Sequence, residues 1–357
     1  MQEGEDHLFT DPIKDTTAKT WGRSIEQLFI WNTINILASI TQHEVFGHGY
    51  RLRELGITPK KYTITPWGGA TYFHIPGSLS IGEFLAIDVA GLEAESILAR
   101  NTKMNWIREG AIDGRLSTLY TQSEQSAFFY TLITSLGEIE EGNDVANYIT
   151  LLNILYPNNQ TSIGKLTRWS LFNLLDPMTF FAYYSWFYYI SEGTPWTFPM
   201  IRINENIRYL PNIRIGYAPY GPEAYLENFF SIRDEPLYAY VKGGKRSAGI
   251  GLAYDRLLSK KQGTVGIRFD GWHQSNFITN TTFSDLERDS DCPIDHPSHK
   301  IWGAALSLTA TLNCSSNTAL FAELGGKTRG YLPGYTLGPG IVARIGMVFG
   351  KNNLELN

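Results

Sequence analysis

The chain has 357 residues, which exceeds one typical domain, so two domains with separate cores are the starting expectation. Charged residues make up only 18% and aromatic residues 13%, which suits a chain with broad apolar contacts or one that meets a membrane interface. The net charge of −5 argues against nucleic acid as a partner, because phosphate binding needs a basic surface.

Residues 20–195 are predicted to form a helical domain. Four segments have helical length and an apolar or amphipathic pattern: 24–55, 80–101, 117–156 and 165–190. Residues 62–75, rich in Thr, Tyr and Phe, are typical of a strand or hairpin. Charges interrupt the helices, at roughly 3 kcal/mol for each one placed centrally in lipid. We therefore expect a domain that lies on a membrane or is partly inserted, rather than a bundle that crosses it.

In residues 200–350, apolar and polar residues alternate with a period of two. In residues 264–272, Val265, Ile267 and Phe269 face one way and polar residues face the other. About eight such segments predict an antiparallel β-barrel, so the fold class is α+β with a helical domain followed by a barrel.

An apolar outer face and a polar inner face are typical of a barrel surrounded by membrane lipid, although a soluble barrel fits almost as well. The long polar loop 276–300 favours the membrane, whereas the absence of a terminal aromatic residue does not. We expect the bacterial outer membrane, with the helical domain facing the periplasm; the inner membrane and the periplasm are alternatives.

Two cysteines, Cys292 and Cys314, are too few for a disulfide scaffold, and either one disulfide or two free thiols is expected. Cys292 lies near His296 and His299, but a second metal site in this loop is disfavoured because a fourth ligand is missing. Residues 1–6 are acidic and lack the pattern of a secretory signal, so a cytosolic chain and a chain whose signal was removed both remain open.

The segment His43-Glu44-Val45-Phe46-Gly47-His48 carries the chemistry that we expect. Zinc hydrolases need imidazole or carboxylate ligands, an open position for water, and a carboxylate base, here Glu44. The two histidines are five residues apart, so a regular helix would not bring them together. A one-residue bulge near Gly47 would do so. The alternative is a pair of histidines that only pack in the core.

The third zinc ligand is predicted to be Glu93. It shares an apolar helix face with Ala90 and Ile97, where an unpaired carboxylate is costly. Glu95 is expected to be a solvated carboxylate or to lie behind the ligands.

The expanded motif resembles that of the dipeptidyl peptidase III family. The order of the flanking segments is similar to that of site-2 metalloproteases: residues 43–57, Pro66-Trp67-Gly68-Gly69, Ala90-Gly91 and Phe172-Asn173-Leu174-Leu175-Asp176. The first resemblance implies a zinc metallopeptidase acting on peptides or proteins. The second implies Asp176 as an alternative third ligand, against a role for Asp176 as the N-cap before Pro177.

Other residues near the motif have weaker assignments. Residues 68–73 are expected to form an edge strand that pairs with an extended substrate. His74 is expected either to stabilise an oxyanion or to end the strand in solvent. Tyr50 and Arg51 either orient ligands and substrate or pack.

Two functions follow from these predictions. The first is a membrane-associated zinc metallopeptidase in which Glu44 activates water. The second is a non-catalytic barrel protein whose helical domain is a plug or binding module with a structural metal. The sequence leaves the oligomeric state open.

Overall fold

The computed structural model describes residues 16–137, 142–260, 262–288, 299–315 and 318–349. Helices occupy the first half of the chain and an antiparallel sheet the second half, which confirms the predicted α+β class. None of the described helices combines the length and the apolar character that a membrane span requires.

A long helical rod begins the described chain. It contains α1 (Thr16–Ile25), α2 (Asn32–Thr41) and α3 (Gly49–Glu54), joined by two π-helical stretches, Glu26–Trp31 and Gln42–His48. The residues at these junctions keep right-handed helical dihedrals, so the rod continues through both stretches.

A two-stranded hairpin follows the rod, formed by β1 (Lys61–Thr65) and β2 (Gly68–Tyr72). The remaining helices before the sheet are α4 (Ile81–Asp88), α5 (Ala90–Glu109), α6 (Ser117–Ser135), α7 (Asp144–Leu155), α8 (Ile163–Ser170) and α9 (Pro177–Glu192). Short 3₁₀ turns lie at Gly114–Leu116, Pro157–Asn159 and Leu171–Leu175.

Nine antiparallel strands pair in sequence order. They are β3 (Ile201–Asn204), β4 (Ile207–Ala218), β5 (Gly221–Ile232), β6 (Glu235–Gly244), β7 (Ser247–Lys260), β8 (Gly263–Ser275), β9 (Lys300–Ser315), β10 (Thr318–Lys327) and β11 (Gly340–Phe349), with the short α10 (Phe283–Arg288) after β8. Among the described residues no pairing joins β3 to β11. The sheet is therefore open, and the predicted closed barrel is wrong in this respect.

Part of the open edge of the sheet is covered by the helical half. The side-chain amide of Asn173 donates to the backbone oxygen of Ile215 at 3.1 Å and accepts from its backbone nitrogen at 2.6 Å. Tyr148 of α7 donates to the backbone oxygen of Ala218 at 3.0 Å. These helical residues satisfy backbone groups that a further strand would otherwise satisfy, and they therefore cover part of the β4 edge.

The two faces of the sheet have opposite character. Paired charges lie on the buried face, such as Lys242 with Glu223 at 3.0 Å. On the opposite face, neighbouring strands place Leu226, Val241 and Ile250 side by side, each about half exposed. Apolar side chains therefore point outward and charged ones inward.

The inner face of the sheet and α5 enclose a cavity of about 950 Å³. Arg100 and Arg108 line it from the helix, and Arg268 and Asp270 from the sheet. Charged side chains thus line part of the inner face of the sheet, next to a buried cluster of apolar and aromatic side chains that includes Phe229 and Tyr238.

Candidate metal centre

The π-helical stretch Gln42–His48 sets the geometry of the motif. A π turn closes hydrogen bonds between residues five apart, so side chains at that spacing fall on one face. The Nε2 atoms of His43 and His48 accordingly lie 3.1 Å apart. The predicted local distortion of the helix is confirmed.

Two glycines let this helix approach α5 closely. A Cβ atom on Gly47 would lie 2.6 Å from the backbone oxygen of Ala90, and one on Gly91 would lie 2.2 Å from Nε2 of His43. Because Gly47 carries no side chain, the backbone of α5 can lie this close to it without a clash. The Ala90-Gly91 step thus leaves room for the His43 imidazole.

Asp144, the first residue of α7, completes a buried group of three ligand-type side chains. Its Oδ2 lies 3.3 Å from Nε2 of His43 and 3.1 Å from Nε2 of His48. Two ligands that are each about 2.1 Å from a tetrahedral metal ion stand about 3.4 Å apart. The spacing of the three atoms fits such an ion.

The outer nitrogen of each imidazole is fixed by an acceptor. Nδ1 of His43 lies 3.0 Å from the Glu95 carboxylate, and Nδ1 of His48 lies 2.8 Å from the backbone oxygen of Ile87. These acceptors require N–H at Nδ1, so each neutral imidazole directs its Nε2 lone pair at the other and at Asp144. Three converging acceptors need a cation between them, and these residues can therefore hold a metal ion.

Protons are the competing cations at this site. Burial opposes protonation of His43, but Glu95 and Asp144 outweigh it and raise its pKa well above the usual value. Burial also opposes protonation of His48, and Asp144 raises its pKa. Burial favours the neutral form of Asp144, yet the two histidines lower its pKa. A positive charge is thus favoured here whichever cation supplies it.

Glu44 is buried, its charge is among those that raise the pKa of His48, and the hairpin holds its side chain. The Thr71 hydroxyl donates to its Oε2 at 2.7 Å. A Cβ atom on Gly69 would lie 2.8 Å from its Oε1, so β2 passes directly over this carboxylate.

Two further side chains border the centre, and neither was singled out from the sequence for it. The Tyr130 ring stacks on His43 with centroids 5.7 Å apart, and its hydroxyl donates to Oδ2 of Asp144 at 3.3 Å. Asp88 is buried with Oδ2 lacking a hydrogen-bond partner in the described structure. Burial and then the charge of Asp144 raise the pKa of Asp88 well above its usual range.

Glu93, the predicted third ligand, lies elsewhere. Both of its oxygens are 3.2 Å from the Arg51 guanidinium, and it also accepts from the Tyr331 hydroxyl at 2.8 Å and the Gly334 backbone nitrogen at 2.5 Å. Glu93 is buried, as its apolar helix face predicted. The cation that its carboxylate contacts is a buried arginine. Asp144, and not Glu93, is the carboxylate that lies next to the two histidines.

Asp176, the alternative ligand, is also remote from the two histidines. It accepts from Lys103 at 3.0 Å and from Tyr120, and it caps α9 by accepting from the Met178 backbone nitrogen at 3.2 Å. Asp176 therefore has the N-cap role that was weighed against metal binding.

Of the other residues that the sequence pointed to, some lie next to the two histidines and others lie elsewhere. Glu95 is buried behind His43, and Ser39 donates to its second oxygen at 3.1 Å. His74 is exposed and contacts Lys60. Arg51 packs against Glu93 rather than facing the histidines. Cys314 is exposed, while Cys292 and His296 lie outside the described residues, and His299 is exposed.

Asp144 gave only an ambiguous signal in the sequence. It follows Asn143, whose side chain accepts from the Ala146 backbone nitrogen at 2.9 Å as an N-cap. An acidic residue in the first turn of a helix is usually explained by the helix dipole, so the sequence did not indicate that Asp144 would lie beside the two histidines.

Comparison of the chain with family models, curated proteins and solved structures finds no match.

Proposed function

We propose that the chain is a membrane-associated zinc metallopeptidase, with His43, His48 and Asp144 as the zinc ligands. The convergence of three acceptor atoms beside a buried glutamate carries the proposal. Imidazole and carboxylate donors with three protein ligands are the set that catalytic zinc uses, since a fourth position stays open.

Bound zinc would supply a Lewis acid that lowers the pKa of water and polarises a carbonyl group. Glu44 would accept the proton of the attacking water and return it to the leaving amine. Thr71 would hold the Glu44 carboxylate in place for both transfers, through the 2.7 Å hydrogen bond. Glu95 would keep His43 in the tautomer that binds metal.

The position of the hairpin supports the proposal that the substrate is a peptide. Strand β2 pairs with β1 on one side and lies over Glu44 on its way past the site. An extended peptide could add to the other side of β2 by main-chain hydrogen bonds, which would bring a scissile amide to the base. This mode of binding depends on the backbone and leaves the side-chain preference open.

The test of catalysis is Glu44→Gln. We expect zinc to remain stoichiometric and peptide cleavage to fall at least about a hundredfold, because a proton acceptor is lost while the ligands stay. Metal analysis and mass spectrometry of a synthetic peptide library measure the two quantities. Glu192→Gln, an exposed change at the end of α9, is the matched control.

Wild-type protein without stoichiometric zinc would contradict the proposal. If wild type and Glu44→Gln both bind zinc and neither cleaves any peptide, a structural metal in a non-catalytic module replaces it.

The polarity of the sheet supports a membrane location. Exposed Leu226, Val241 and Ile250 suit lipid, while Glu223 and Lys242 on the other face suit a polar interior. We propose the bacterial outer membrane, where strands with this polarity occur, with the metal centre facing the periplasm. Partition of the full chain into detergent is the expected result, and complete solubility without detergent would contradict this location.

A further inference from the structure

A second cavity lies where the helical half meets one end of the sheet. It has a volume of about 290 Å³ and sits between α8, the following 3₁₀ turn, and the turns that join β4 to β5 and β6 to β7. Lys165, Trp169, Phe172, Lys245 and Arg246 are in its lining. The metal centre is built from other residues, so this cavity needs a separate explanation.

Arg246 is the unusual member of the lining. It is only 9% exposed, and its guanidinium donates to the backbone oxygens of Tyr220 at 3.1 Å and Asn159 at 3.5 Å, above the ring of Tyr156. In the described structure no carboxylate lies within ion-pair distance of it. Burial lowers the pKa of Arg246, because carbonyl and ring contacts do not replace its lost hydration.

The carboxylate in the lining does not offset this charge. Glu223 is fully engaged with other groups, since it pairs with Lys242 at 3.0 Å and accepts from Ser247 at 2.5 Å, Tyr220 at 2.9 Å and Tyr225 at 2.8 Å. A carboxylate saturated in this way has little remaining capacity to neutralise a neighbouring cation. The cavity therefore keeps a positive character.

Two lysines add to that character. Lys165 lies over the Trp169 ring at 4.8 Å, and Lys245 is exposed beside Asn159. Both ammonium groups can turn toward a bound anion, because their present partners are neutral. Three cations around one cavity are suited to a phosphate group.

Apolar surface continues outward from the cavity. Ala224 and Gly243 are paired in its lining, and the next pair on the same face of the sheet is Leu226 with Val241, about 7 Å further along the strands. Leu226 and Val241 are 49% and 54% exposed. On the helical side, Trp169 and Phe172 of the lining are 38% and 45% exposed.

We propose that this cavity binds the phosphate headgroup of an anionic membrane lipid, whose acyl chains lie along the exposed apolar residues beside it. The proposal rests on the membrane location proposed above. A free phosphate ion would use the cations and leave the adjoining apolar surface without a role. A lipid uses both, because its charged and apolar parts are joined at about this spacing.

Two variants test the site by different routes. Lys165→Gln with Lys245→Gln removes two cations and leaves the buried Arg246 untouched. Gly243→Phe adds a ring at a lining position and is expected to take up space that a headgroup needs; a Cβ atom there meets nothing within 4 Å, so the backbone need not shift. The matched control is Lys19→Gln with Lys260→Gln, which removes two lysines outside the lining.

The measurement is native mass spectrometry of the delipidated full chain in neutral detergent, titrated with phosphatidylglycerol or phosphatidylcholine. We expect the wild type and the control to prefer phosphatidylglycerol, and both test variants to bind it at least about tenfold more weakly. Unchanged binding in the two test variants would overturn the proposal. Displacement of the lipid by an equal concentration of inorganic phosphate would also overturn it, by showing a small-anion site.

The outcomes separate this inference from the proposed function. A chain that needs detergent but shows no headgroup preference contradicts the lipid site alone. A chain that is soluble without detergent contradicts the membrane location and the lipid site together, and it leaves the zinc and Glu44 results as they stand.

Discussion

The metal centre and the inner face of the sheet both bury ionisable groups, and they neutralise them in different ways. On the inner face of the sheet several buried carboxylates pair with a fixed cation, as Glu227 pairs with Arg214 at 3.2 Å and Glu323 with Arg344 at 3.1 Å. At the metal centre, two imidazoles and Asp144 converge with their lone pairs facing inward. We call the first type closed, because both charges of the pair belong to the chain. We call the second type open, because its converging lone pairs need a cation that the chain does not supply.

Glu93 belongs to the closed type although it lies in the helical half. The largest expected effect is therefore the loss of stability in Glu93→Gln, by about 3 kcal/mol, because Arg51 stays buried with less compensating charge. The free energy of unfolding from denaturant titration measures it. Zinc stoichiometry should not change, and a loss of zinc in this variant would break the distinction between the two types.

Asp144 belongs to the open type. Asp144→Asn should weaken zinc binding at least about a hundredfold, since loss of a direct ligand should exceed the tenfold to hundredfold effects known for groups behind the ligands. Competition with a chromophoric chelator measures the affinity. Asp285→Asn is the control, because Asp285 is also a partly buried acidic residue in the first turn of a helix, α10, and it is not among the three converging side chains. Equal zinc affinity in wild type and Asp144→Asn would refute the assigned ligand.

The smallest effect is a pH trend in the stability that zinc provides. Without metal, the folded-state pKa values of His43 and His48 lie above 6.5, the ordinary value of an unfolded histidine. Their protonation therefore stabilises the metal-free fold below about pH 6.5, and this contribution is lost as pH rises through the raised pKa values. Zinc needs the deprotonated imidazoles and binds more tightly at higher pH.

The melting temperatures of zinc-loaded and chelator-treated protein should therefore move apart between about pH 6 and pH 9. A constant difference over that range would show that protons and zinc do not compete for the same atoms.

Local pattern was sufficient for several features of the molecule. The five-residue spacing of His43 and His48 predicted the helix distortion, because helix geometry converts sequence distance directly into direction. The alternation in residues 264–272 predicted strands with one apolar face for the same reason. The outer apolar face follows from that alternation without knowledge of the partner strands.

Partners distant in sequence were not predictable in this way. Glu93 and Asp144 are both carboxylates on helices, and only the tertiary contacts of Glu93 with Arg51 and of Asp144 with the two imidazoles show which one faces the histidines. The same limit applies to the edge of the sheet. Asn173 supplies hydrogen bonds to Ile215 across 42 residues, and no local pattern encodes that contact.

The sequence by itself thus determined the helical first half, eight of the nine strands with their polarity, and the two converging histidines, since each depends on neighbours within a turn or a strand. It missed β3, and it predicted 117–156 and 165–190 as unbroken helical segments although each contains a break. Only the tertiary structure showed that Asp144 joins the two histidines, that the sheet is open, and that cations line the second cavity. Each of these depends on which cation or backbone group a buried side chain contacts. In a low-dielectric interior, the free-energy difference between a paired and an unpaired polar group is large.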